Sequence, residues 1–186
     1  MGEMKDPMRA GRRLFHRGLL IAALIVAADQ ISKFWVLDLF RLDARGVVEV
    51  LPFFNLVLVW NRGVSFGLLA ADHELGRWLL ILLTVVIAGL VIYWLRRATG
   101  ALMMTALAMV LGGAIGNIID RLRFGAVVDF VQLHAAGYSF YVFNIADAAI
   151  SIGVALLLLD AIFSGRGGDA AGRSASGPSS SGKSES

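Results

Sequence analysis

Four long stretches of the chain carry almost no charge, and their order sets the first expectation of the fold. Gly18–Ala28 is wholly apolar and reaches Leu37 if Asp29, Gln30, Ser32 and Lys33 are tolerated in the same helix. Trp78–Leu95 runs eighteen residues and Gly100–Ile119 twenty without a charge, while Phe140–Phe163 is interrupted by Asp147 and, near its end, by Asp160. A hydrocarbon layer about 30 Å thick takes roughly 20 helical residues to cross. Such a segment must satisfy its backbone polar groups internally, which makes helix the default. Four transmembrane helices are therefore expected. Between the first two lies an outer segment, 38–76, in which Val47–Trp60 is rich in β-branched and aromatic residues and broken by Pro52, the pattern of strands lying on the membrane surface. A second outer loop, Arg121–Ser139, holds another strand candidate at Ala126–Leu133. The chain thus divides into a basic arm at 1–13, a membrane domain at 14–163 and a glycine- and serine-rich tail at 164–186 that is expected to be disordered.

Composition agrees with a membrane protein. Hydrophobic residues make up 58% and charged residues 17%, whereas soluble domains hold about 45–50% and about 25%. With no cysteine, thiol nucleophiles, disulfides, thiolate zinc sites and iron–sulfur clusters are excluded. His16, His73 and His134 are scattered, so neither a metal nor any other cofactor is implied. A net charge of +3 with no long basic stripe gives no argument for nucleic acid. Ten of the seventeen basic residues fall before the first span, between the second and third, or after the fourth. That bias places both termini in the cytoplasm.

Three motif matches lack their context. Gly177–Ser184 has the spacing of a phosphate-binding loop, but that motif works between a strand and a helix, and here it lies at the end of the polar tail; no nucleotide is expected. Gly63–Gly67 reads as a serine-hydrolase elbow without the α/β sheet that an elbow requires. Arg12–Arg13 before an apolar run resembles a twin-arginine export signal, yet the run continues into Asp29-Gln30 and three more spans follow.

The informative residues are the polar ones inside the spans, where an ionisable group costs about 2.5–3.5 kcal/mol on insertion scales. Asp29 and Lys33 stand at i and i+4; Asn117, Asp120 and Arg121 at i, i+3 and i+4; Asn144 and Asp147 at i and i+3. Each spacing puts its members on one helical face. With the N-terminus inside, all three groups fall at the outer end of the bundle, together with Asp129. Gly112 and Gly116 allow a close helix approach that would bring them together. Asp29–Lys33 reads first as a neutralising pair whose lysine reaches the interface, and Asp120–Arg121 also reads as a structural pair with a neighbour and Asn144 as a helix cap. Asp129 and Asp147 are harder to assign to structure. Two carboxylates at short range share a proton, so one can take a proton from water while the other polarises the substrate. That is peptide hydrolysis without thiol, serine or metal. The alternative is a proton-coupled membrane carrier using the same acids, but carriers usually show an internal repeat and broken midplane helices. The two halves here share neither motif nor spacing. A non-enzymatic scaffold, the third reading, has no need of two unpaired aspartates at one face.

Asp29-Gln30-x-x-Lys33, Asn61-x-Gly63-x-x-Phe66-Gly67, Gly116-Asn117-Ile118-Ile119-Asp120-Arg121, Val127-Val128-Asp129-Phe130 and Phe143-Asn144-x-Ala146-Asp147 occur in that order. Together they resemble the bacterial lipoprotein signal peptidases (signal peptidase II), four-span aspartyl proteases, over about residues 14–163. The resemblance implies four transmembrane helices, a small extracytoplasmic β-cradle and a short surface helix acting as a flap. It implies Asp129 and Asp147 as the catalytic pair, Asn117, Arg121 and Asn144 as polar lining, and Asp29 and Lys33 as a supporting pair. Asn61 is implied as a site residue beside the mobile surface helix. Asp120, inside the third motif, joins the residues expected to support the site. The implied substrates are prolipoproteins in the bacterial cytoplasmic (inner) membrane, cut before a diacylglyceryl-modified cysteine, with membrane lipids as the other partner. No oligomer is implied. Ser65 stands where the family often has alanine, and Tyr141 where a proline often precedes the Phe-Asn pair; neither is a catalytic position.

Overall fold

A computed structural model describes residues 7–63, 74–135 and 138–174. Its long helices are α1 (Pro7–Phe34), α3 (Glu74–Leu95), α4 (Ala101–Phe124) and α5 (Ile145–Ser174). A single π-helical stretch, Trp35–Leu39, extends α1, and the short helix α2 (Leu42–Arg45) follows it. Each long helix contains a segment of sufficient length and hydropathy to cross a membrane: Gly11–Leu39, Glu74–Leu95, Ala101–Phe124 and Ile145–Phe163. Strands β1 (Val48–Leu51), β2 (Phe54–Asn61), β3 (Val127–Ala135) and β4 (Tyr138–Phe143) form one antiparallel sheet in sequential order. The architecture is the expected set of four apolar helices with a small sheet.

α4 lies at the centre of the bundle, packed against α1, α3 and α5, and is the most buried of the four. Its core partners include Ala22 of α1 and Val91 and Leu95 of α3. The outward faces of the other helices carry exposed Leu24, Ile31, Leu82 and Leu158, which suits an apolar surrounding. The Gly112–Gly116 pair works as the sequence suggested. A Cβ on Gly112 would meet the Ala22 carbonyl oxygen at 2.8 Å, and one on Gly116 would meet Asp29 Oδ2 at 2.6 Å. Only glycine lets α1 approach that closely.

The sheet is held to the end of α1 by a second buried cluster of Val36, Leu42, Leu56 and Phe130. Gly125 ends α4 in the left-handed conformation (φ 75°) and donates its N–H to the Arg121 carbonyl, a C-terminal glycine stop. Two residues later the chain is β3. This tight reversal puts Asp129 next to the end of α4.

Three boundaries differ from the sequence reading. Phe140–Phe143 belongs to β4, and the last helix begins only at Ile145. A short apolar run reads equally as strand or buried helix until a pairing partner is known, and here β3 supplies one. Helix α5 continues through Ser164–Ser174, the start of the segment expected to be disordered. Helix propagation adds a hydrogen bond per residue without a new nucleation cost. Helix α1 begins well before Gly18, so the arginines from Arg9 to Arg17 are helical. Most of the expected flap region, with Ser65 and His73, and the Gly177–Ser184 match lie outside the described residues.

Candidate active site

Asn144 caps α5. Its Oδ1 accepts the Asp147 N–H at 2.9 Å, while Asp147 Oδ2 accepts the Asn144 N–H at 3.3 Å. This is a reciprocal capping box with an aspartate in the acidic position. It fixes Asp147 in the first turn of α5, where the helix dipole favours negative charge. Asn117 of α4 donates to Asp147 Oδ1 at 2.8 Å.

Asp129 comes from β3, opposite Val59 of β2. Asn144 Nδ2 donates to its Oδ1 at 2.7 Å, and Asn61 Nδ2 to its Oδ2 at 3.0 Å. The same Asn144 side chain also reaches the Val128 carbonyl and Asn117 Oδ1. One asparagine thus touches both carboxylates, which brings α4, β3 and α5 to a single point. Asp129 is 1% exposed, whereas Asp147 is half-buried. Exposed Val59 pairs with Asp129 across β2 and β3; the next residue, exposed Trp60, pairs with Val128 on the other face of the sheet and makes edge contact with exposed Phe124 at the end of α4.

Behind the two acids lies a buried ionic group. Lys33 Nζ sits 2.8 Å from Asp29 Oδ2 and 2.6 Å from Asp120 Oδ2. Gln30 Nε2 donates to Asp29 Oδ2, to Asp120 Oδ1 and to the Gly116 carbonyl. Asp29 Oδ1 accepts the Ala146 N–H and Asp120 Oδ2 the Val128 N–H. The expected Asp29–Lys33 pair is therefore present, but the partner of Asp120 is Lys33. Arg121 instead donates to the Asn117 carbonyl on its own helix, and its charge interacts most strongly with Asp147. Arg123, at the end of α4, reaches Gln30 Oε1. Gln30 stands in the first sequence motif without a role of its own, one position from Asp29 and off the i, i+3, i+4 face. An amide inside an otherwise apolar span was the available signal, and the length of its side chain lets it turn back to Asp29.

Burial pushes the Asp129 carboxyl up to about 6, and the negative charge of Asp147 adds to the rise. Hydrogen bonds from Asn61 and Asn144 and the charge of Lys33 act in the opposite direction. The folded chain holds this proton above its ordinary range, so Asp129 costs stability as pH rises from about 4 to 6. If catalysis uses the protonated Asp129, kcat/KM should fall as pH rises through about 6. Asn61→Ala removes a bond that favours the ionised form, so its falling limb should move to higher pH. A limb that stays in place, or moves to lower pH, would show that Asn61 does not tune this acid. Among the described residues, no group of three or more His, Cys, Asp or Glu could hold a metal ion.

Known proteins resemble this chain over most of its length. Residues 21–163 match the family model of signal peptidase (SPase) II. The chain is similar to the lipoprotein signal peptidase of Methylobacterium sp. (strain 4-46), 49% identical over 156 residues covering 84% of this chain and 94% of that protein. It is also similar to the lipoprotein signal peptidase of Methylocella silvestris, 43% identical and covering 84% and 92%. A bacterial membrane enzyme solved by the in meso method at 2.3 Å superposes with a TM-score of 0.68 at 30% identity, covering 79% of this chain and 88% of that one.

Proposed function

Because the chain belongs to the signal peptidase II family of aspartic peptidases, we propose that Asp129 and Asp147 are the pair with which it cleaves signal peptides from prolipoproteins. The peptidase activity follows from the family; the assignment of the pair rests on Asn144, whose one side chain and backbone N–H bond both carboxylates. Asp147, half-buried in the first turn of α5, is the base. It takes a proton from water as the oxygen attacks the scissile carbonyl carbon. Asp129, more deeply buried, carries the shared proton and gives it to the carbonyl oxygen. On collapse of the tetrahedral intermediate, Asp129 recovers its proton from the hydroxyl and the leaving amine takes the one on Asp147. The pair returns to its starting state with no other group consumed. Asn117 and Asn144 hold the carboxylates, Asn61 adjusts Asp129, and Arg121 offsets part of the accumulated negative charge.

The substrate in this reading is a prolipoprotein already carrying a diacylglyceryl group on the cysteine after the cut. Exposed Val59, paired with Asp129, offers its acyl chains apolar surface on the face that carries the acid. The bias of the basic residues supports termini in the cytoplasm and acids at the outer leaflet, the side on which an exported precursor presents its cleavage site. The direct test combines topology with product identity. A reporter fused after Phe163 should be cytoplasmic and one inserted near Asp72 external. Mass spectrometry of a lipid-modified precursor incubated with the purified chain should show the modified cysteine as the new N-terminus. A reversed pair of reporters, or a cut elsewhere, would overturn this reading.

A further inference from the structure

Lys33 is only 2% exposed, and it is the one cation bound by two buried carboxylates among the described ion pairs. Each of those carboxylates also accepts a backbone N–H from another element. Asp29 takes that of Ala146 at 3.0 Å, and Asp120 that of Val128 at 3.1 Å. Ala146 immediately precedes Asp147, and Val128 immediately precedes Asp129. The geometry points to Lys33, Asp29 and Asp120 as a positioning clamp that sets the separation of the two acids. One cation ties two anions, and each anion holds the backbone N–H of the residue before one member of the pair. Gln30 closes the clamp by donating to both anions. The inference rests on the Asp129–Asp147 reading and adds to it a reason for burying a charged group at all. A buried ion pair is a poor source of stability, but a rigid second layer behind reacting groups preserves their geometry.

The atoms in use separate this clamp from simple charge balance. Asp120 accepts both Lys33 and the Val128 N–H on one oxygen, Oδ2, and uses Oδ1 only for Gln30. An asparagine there can keep its carbonyl oxygen on both donors, at the expense of the Gln30 amide, which must turn over to face the new NH₂ group and give up its bonds to Asp29 and the Gly116 carbonyl. Asp29 uses Oδ1 for the Ala146 N–H and Oδ2 for Lys33 and Gln30. An asparagine there must give up one of the two. Both substitutions remove one negative charge, so a role in charge balance alone affects them equally.

The experiment compares kcat and KM of Asp29→Asn, Asp120→Asn and Asp120→Ala on a lipid-modified precursor, with Asp129→Asn and Asp147→Asn in the same detergent. Asp120→Asn, which keeps both Lys33 and the Val128 N–H on one oxygen, should lose far less kcat than Asp29→Asn. Asp29→Asn and Asp120→Ala should lose roughly 100-fold in kcat, the effect of a small misplacement of reacting groups, with KM little changed. Equal kcat for the two asparagine variants overturns the clamp, as does an effect confined to KM. If Asp29→Asn does not insert, the two Asp120 variants decide the matter, and equal kcat there overturns it. Turnover by Asp129→Asn or Asp147→Asn would instead remove the underlying reading. Inert dyad variants beside an unimpaired Asp120→Ala would remove the clamp alone.

Discussion

Asp129→Asn and Asp147→Asn should each abolish signal-peptide cleavage while leaving an inserted, folded protein. General acid–base catalysis contributes roughly 10²–10⁴-fold per group, and these two acids are proposed to carry both proton transfers, so the loss in either variant should be at least of that order. The fold should tolerate the change. An asparagine at 129 can keep its oxygen toward Asn144, and it removes a buried carboxylate that resists ionisation. What it forgoes is one hydrogen bond from the exposed Asn61, worth about 1 kcal/mol. At 147 the side chain loses one acceptor of the capping box, a cost of about 0.5–2 kcal/mol. Unfolding temperatures near wild type, with no product by mass spectrometry, are the expected pair of results. Wild-type-like cleavage by either variant would end the dyad assignment. Ser65→Ala should stay active; loss of its activity in a folded protein would bring the serine-elbow reading back.

The second large effect concerns the lipid. A precursor with an unmodified cysteine should be cut at a rate about 100-fold lower, in kcat/KM, than the diacylglyceryl form in the same detergent. Acyl chains that move from bilayer to an apolar wall gain much less than the ~0.8 kcal/mol per CH₂ available on leaving water. Their main effect is therefore positional. They fix the depth of the scissile bond relative to the membrane surface, and attack requires reacting atoms about 3–3.5 Å apart. The exposed Val59, paired with Asp129 yet outside the buried core, is suited to that task. Equal rates for the two precursors would show that the lipid is not read and that the chain is a broader membrane peptidase.

Much of this molecule is legible in one dimension, and the legible part is the local part. The four spans follow from the absence of charge over membrane-length runs, because bilayer thickness fixes the length. The Asn144–Asp147 box follows from an i, i+3 spacing at a helix start. The Gly112–Gly116 contact follows from two small residues on one face, and Val47–Trp60 reads as strand from its side chains alone. The grouping of Asp29, Asn117, Asp120, Asp129 and Asp147 at one end follows from span order combined with the basic-residue bias.

Long-range choices were decided by the tertiary structure. Lys33 and Asp120 are 87 positions apart, and nothing in either neighbourhood shows that this lysine, and not the adjacent Arg121, holds that carboxylate. The choice depends on how closely α1 approaches α4 at Gly116, where the ammonium is already enclosed between two acids. Gln30 enters the same group only because its side chain is long enough to leave its own face. Tyr138–Phe143 is a strand because β3 lies beside it, and its aromatic composition suits that state, although it runs into the apolar stretch of α5 with only Asn144 between them. Periodicity and capping act over a few residues and are written in the chain. Partner choice among buried charges depends on which groups are desolvated together, and only the packed bundle determines that.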